Sequence, residues 1–132
     1  MPSTTRLPSA SGTQLLEAGH DWDAIRVPRD VGLAALAILG SRCGAVLEDP
    51  LSTAGVLYFF MPVGSAETWN VENTRALSTN SSVAIPPIRR TAGPGPRWRI
   101  CPDEDNWLTD PAALEAAIGD AFENLFSEER AG

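Results

Sequence analysis

WDAIRVPRDVGLAALAILG, residues 22–40, is the most informative stretch of the chain for its architecture. Trp22, Ala24 and Arg26 alternate with Ile25 and Val27, the period of two that sends successive strand side chains to opposite faces. Pro28 ends that pattern and can serve as the first residue of a helix, because its fixed φ is already helical and its missing N–H is not needed there. From Val31 the apolar residues Leu33, Ala34, Leu36, Ala37 and Ile38 follow at helical spacing, and Gly40 supplies the stop. The stretch reads as a strand feeding a short buried helix.

Beyond it, CGAVLED (43–49) and GVLYFFMP (55–62) are two apolar runs joined by PLSTA, the length and composition of a hairpin loop. GVLYFF is dense in aromatic and β-branched residues and reads as a central strand. GSAETWN (64–70) reads as a helical turn with Ser65 as cap and Trp69 anchoring it to the sheet. TRALS (74–78), SVAIPP (82–87) and RWRIC (97–101) are three further short strands, the last following a Gly-Pro-Gly-Pro turn in which glycines absorb positive φ. The clearest helix comes last: Asp110 caps it, Pro111 opens it, and Leu114, Ala117, Ile118, Ala121, Phe122, Leu125 and Phe126 recur at three- and four-residue spacing. The order predicts an α+β domain, a mainly antiparallel sheet with two helices on one face. Residues 1–14 read as a disordered leader, with TQLLEAG adding at most a helical turn; 15–127 read as the single domain, and 128–132 as a frayed end.

At 132 residues there is room for one core and one site. Apolar residues at 43% and charged residues at 20% are ordinary for a globular chain and argue against global disorder. No apolar run approaches the roughly 18–20 residues that span a bilayer, and the first residues lack the pattern of a signal peptide, so the expectation is a cytoplasmic protein without a membrane partner. Cys43 and Cys101 are far apart with no other ligand at metal spacing, which suggests reduced thiols rather than a zinc site or a disulfide framework.

The formal net charge is -7, but its distribution is uneven. Residues 75–101 carry Arg75, Arg89, Arg90, Arg97 and Arg99 and no acid, while 102–132 hold nine acids against Arg130. Arg97 and Arg99 flank Trp98, so on a strand both guanidinium groups share one face and the indole takes the other. Arg89 and Arg90 precede the turn that returns the chain. These four arginines are the candidate nucleic-acid or partner-binding residues, with bidentate contacts to phosphates as their chemistry. The competing reading is a sheet edge protected by charge, or arginines paired with acids of the C-terminal segment.

Other clusters carry less. His20, Asp21 and Asp23 invite a metal, but strand alternation sends them apart, and a surface cluster at the strand entrance is the expectation. Glu48 and Asp49 precede Pro50, where Asp49 is expected to cap a turn. No serine or cysteine is spaced for a catalytic triad with His20, the single histidine, and GPGP presents prolines where a phosphate loop needs N–H donors. The expected catalytic, metal and cofactor sets are therefore all empty.

WDAIRVPRDVGLAALAIL, GVLYFFMP, SSVAIPPIRRTAGPGPRWRI and WLTDPAALEAAI together resemble the small bifunctional primase-polymerase-like domain common in actinobacteria, over roughly residues 20–120. That family carries an Asp-x-Asp-type metal motif at the end of the first strand and a catalytic histidine in the strand resembling GVLYF. The resemblance places the carboxylates at Arg26 and Pro28 and the histidine at Val56, and none of these can do the family's work. Metal-assisted nucleotidyl transfer needs carboxylates to hold the ions that bridge triphosphate oxygens. The resemblance also implies that residues 81–87 and 97–101 are neighbouring strands. With the family's catalytic residues replaced, the expectation is a non-catalytic binding or regulatory module that works through a protein partner. The alternative is a nucleic-acid or nucleotide binder using Arg89, Arg90, Arg97 and Arg99. A third reading, an active nucleotidyl transferase, would require tight divalent-metal binding at the WDAIRVP end.

Overall fold

A computed structural model describes residues 12–50, 55–93, 95–103 and 107–131, with side chains as far as Leu125. In chain order these form β1 (Gln14–Glu17), β2 (Asp23–Pro28), α1 (Arg29–Leu39), β3 (Val46–Asp49), β4 (Val56–Met61), β5 (Arg75–Leu77), β6 (Ser82–Ile85), β7 (Arg97–Ile100) and α2 (Pro111–Ala131). Short 3-10 turns occupy Gly40–Arg42 and Ser65–Thr68. Five strands make an antiparallel sheet in the order β5-β2-β4-β3-β7, and β1 pairs with β6 in a separate two-stranded ribbon. The α+β architecture follows from the sequence pattern as expected.

Both faces of the sheet are buried, each by a different element. Ile25 and Val27 of β2 join Val46, Leu57, Phe59 and Met61 under α1 and α2, which bring Val31, Ala35, Leu39, Leu114, Ala117, Ile118 and Ala121. The two helices also pack against one another. On the opposite face Trp22 and Ala24 join Ala45, Leu47, Phe60, Trp98 and Trp107, and the β1–β6 ribbon covers them with Leu16, Val83 and Ile85. Phe60 is the centre of this second layer, with Trp22 edge-on at 5.2 Å and Trp98 and Trp107 at 5.8 and 5.7 Å between ring centroids. The period-two alternation of residues 22–27 thus serves two cores, which is why the central strands read as nearly continuous apolar runs.

The helix ends obey their local chemistry. Pro28 keeps an extended ψ of 147° and still pairs with Val56, so it stands at the N-cap and α1 begins at Arg29, one residue later than its proline pattern predicts. Gly40 takes φ 56° and donates its N–H to the Leu36 carbonyl, closing the helix. A side chain at Gly32 would come within 2.7 Å of Leu57, so α1 lies directly on β4 because this position has none. At α2, Asp110 accepts a 3.0 Å hydrogen bond from the Ala113 N–H, the cap its sequence predicts.

Two expectations are corrected. Residues 14–17 are a strand, not a helical turn, because Gln14 to Glu17 find a full set of partners in Ile85 to Ser82. Residues 81–87 and 97–101 are not neighbours in one ladder: β6 pairs with β1, whereas β7 pairs with β3. At the C-terminal end, α2 is helical to Ala131. Gly93 and Gly95 take positive φ, 98° and 84°, as the turn requires. Residues 1–11 of the expected leader, residues 51–54 of the β3–β4 loop, Pro94, 104–106 and Gly132 lie outside the described residues. Among the described residues, no helix is long and apolar enough to cross a membrane.

Candidate functional site

β7 is the last strand of the five-stranded sheet, and its alternation divides it sharply. Trp98 is buried in the ribbon-side core, its indole N–H donating to the Pro87 carbonyl at 3.0 Å and its backbone N–H to the Arg90 carbonyl at 2.8 Å. Arg97 and Arg99 leave on the helix side. The β3–β7 register shifts between Val46 and Leu47, so Leu47 faces Trp98 while Val46 faces Ile100, and Arg99 is the extra residue. Both arginines thereby reach the same group, Glu48 of β3.

Glu48 is the centre of the site, and its side chain is only 2% exposed. Arg29 at the start of α1 donates its Nε–H to Glu48 Oε2 at 2.7 Å. Arg99 donates from Nη1 to Oε1 at 3.3 Å, and Arg97 Nη2 lies 3.7 Å from Oε2. Arg97 also donates from Nη1 to the Gly93 carbonyl at 3.2 Å, tying the turn to the cluster. Burial of Glu48 pushes its pKa up, but the hydrogen bond and charge of Arg29, with the charges of Arg97 and Arg99, outweigh that and hold it below its usual value of 4.5. Arg29 is stabilised in turn, first by its hydrogen bond to Glu48 and then by that charge.

Three guanidinium groups meet one carboxylate, and the charge of Asp30 also acts on Arg29. Taking a carboxylate out of water costs several kcal/mol in real proteins, and a single exposed partner would not offset that. Three partners do, and they remain 29–39% exposed. Each guanidinium has five N–H donors, so one carboxylate cannot use them all. Glu48 is the floor of a cationic cluster that has donors to spare.

Of the four arginines singled out in the sequence, Arg97 and Arg99 come together here. Arg89 is exposed and Arg90 half-buried in the turn whose Arg90 N–H donates to the Pro87 carbonyl. Among the described residues, no ion pair joins either side chain to Glu48. Among the described residues, the carboxylate that meets Arg97 and Arg99 comes from β3. Sequence reading did not join Glu48 or Arg29 to these arginines. The signal for Glu48 was present: an acid inside the apolar run AVLED, in phase with Val46 and therefore inward. Arg29 had no such signal, because its approach depends on where α1 starts.

The GHDWD cluster is corrected at one position. His20 and Glu17 form an exposed pair at 3.3 Å, but Asp23 is fully buried. Its Oδ2 accepts from the Gly64 and Ala66 N–H groups, each at 2.9 Å, and its Oδ1 accepts from the Ser78 hydroxyl at 3.1 Å. Asp23 therefore caps the 65–68 turn from a distance, a structural role that strand alternation alone does not reveal. Among the described residues, no three His, Cys, Asp or Glu side chains gather closely enough to hold a metal ion. Arg26, Pro28 and Val56 do lie together: Pro28 is directly opposite Val56, and Arg26 is two residues back along β2, opposite Tyr58. Searches of protein-family models, of curated proteins and of solved structures return no match to this chain.

Proposed function

We propose that this protein is a non-catalytic binding module on a primase-polymerase-like scaffold, and that it binds an acidic segment of a partner protein through Arg29, Arg97 and Arg99. The observation that carries the reading is the convergence of these three arginines on the buried Glu48 carboxylate. A site that already holds one carboxylate in a fork of guanidinium donors has the geometry and spare donors for another. A short acidic peptide fits the guanidinium donors that Glu48 leaves unused. A long polyanion fits them less well, because the chain as a whole carries -7 and repels it beyond the immediate contact.

The absence of catalysis in this reading rests on residue chemistry. Arg26, Pro28 and Val56 sit close together on β2 and β4, where the resemblance calls for metal carboxylates and a histidine. A guanidinium, an imino ring and an isopropyl group supply no ligand to a divalent cation.

The test is a titration of the protein with a labelled glutamate-rich peptide and, in parallel, with short single- and double-stranded oligonucleotides, each at low and high salt. Binding of the peptide, lost in the Arg97→Ala/Arg99→Ala double variant, is the expected result. Salt-dependent oligonucleotide binding that exceeds peptide binding and vanishes in the same variant would instead establish the nucleic-acid reading.

A further inference from the structure

On the ribbon side of the sheet, away from Glu48, two arginines stand directly opposite each other. Arg26 of β2 is paired in register with Arg75 of β5, and on its other side with Tyr58 of β4. Directly opposed residues project to the same face, and their Cβ atoms lie about 4.5–5.5 Å apart. That face is fixed two residues along, where Ala24 and Leu77 pair and both enter the ribbon-side core. Arg26 and Tyr58 are half-buried and Arg75 is exposed, so the row opens to solvent at its β5 end.

Like charges placed opposite each other across strands destabilise a sheet. An oppositely charged or apolar pair would suit the fold better. We infer that Arg26, Arg75 and Tyr58 form an oxyanion site that takes a phosphate group. A phosphate seated between the two guanidinium groups relieves their repulsion and can accept paired N–H bonds from each. Tyr58 adds a hydroxyl donor on the adjacent strand. The hydroxyl stands in the field of these groups: burial raises its pKa, Arg26 lowers it, Asp49 raises it and Arg75 lowers it. The charges acting on this hydroxyl are thus two arginines and Asp49.

The experiment is a thermal-stability titration of the full chain with inorganic phosphate and, in a second arm, with a phosphate monoester, each against sodium chloride at equal ionic strength. A ligand that binds only the folded state raises the melting temperature as its concentration exceeds its dissociation constant. Phosphate is expected to stabilise the protein beyond the chloride control. Arg75→Gln is expected to weaken binding about tenfold, the order of one charged hydrogen bond. Because Arg75 is exposed, that variant should fold, and without phosphate it should be as stable as the parent or more so. A monoester that binds more tightly than inorganic phosphate identifies an esterified ligand, and equal binding identifies the free ion. Stabilisation no greater than that by chloride, or binding that survives Arg75→Gln and is lost in Arg97→Ala/Arg99→Ala, overturns the inference.

Discussion

The Glu48 carboxylate on β3 accepts a 2.7 Å hydrogen bond from Arg29, the first residue of α1. That contact joins the sheet to the helix at the point where β2 hands over to α1, and it fixes the geometry in which Arg97 and Arg99 complete the site.

The pH dependence of stability follows from this contact. The folded-state pKa of Glu48 lies below its usual 4.5. A depressed carboxyl pKa contributes stability that is fully present above the unfolded value and is lost as pH falls through the folded value. Denaturation between about pH 7 and pH 3 should therefore show an acid limb beginning near 4.5 in the parent. In Glu48→Gln that limb should be flatter.

At neutral pH, Glu48→Ala should cost roughly 2 kcal/mol, less than a fully buried pair because the three guanidinium groups it abandons keep contact with water. Arg99→Ala should cost less than about 1 kcal/mol, since Arg29 and Arg97 remain. Chemical denaturation of the single and double variants checks both, and coupling between the two positions is expected.

Phe60 should be the most sensitive position of the ribbon-side core. Its ring meets three tryptophans, and Phe60→Ala should destabilise by about 3–5 kcal/mol. Loss of the near-ultraviolet dichroism of the tryptophans should accompany it.

The two thiols should differ in reactivity. Burial pushes the Cys43 thiol up to about 11, only partly opposed by a hydrogen bond with Thr109, whereas Cys101 is exposed. The thiolate is the reactive form, so an aromatic disulfide reagent at neutral pH should label the folded chain at Cys101 alone. Cys101→Ser should abolish that labelling until the protein is unfolded.

Much of the fold was legible because local and tertiary signals agree. The alternation of 22–27, the cap at Asp110 and the helical spacing after it each point to one outcome, and the structure realises them. Strand partners were less legible. SVAIPP and RWRI are close in sequence, yet β6 leaves for β1 while β7 crosses to β3, a choice made by which apolar face each covers rather than by the turn between them. In the site, Arg97 and Arg99 announced themselves by flanking Trp98. Their carboxylate did not, because Glu48 is 51 residues before Arg99 and meets it only after the sheet has formed. Asp23 was obscured in the same way, since its partners Gly64, Ala66 and Ser78 are all distant in sequence.

The decisive measurement for the binding site is to follow the arginine side-chain N–H resonances by NMR while a glutamate-rich peptide is added. The signals of Arg29, Arg97 and Arg99 should move together and saturate at one peptide concentration, with Arg26 and Arg75 unchanged. Peptide binding that leaves those three signals in place, or no binding at all, would refute a carboxylate-binding role for the Glu48 cluster.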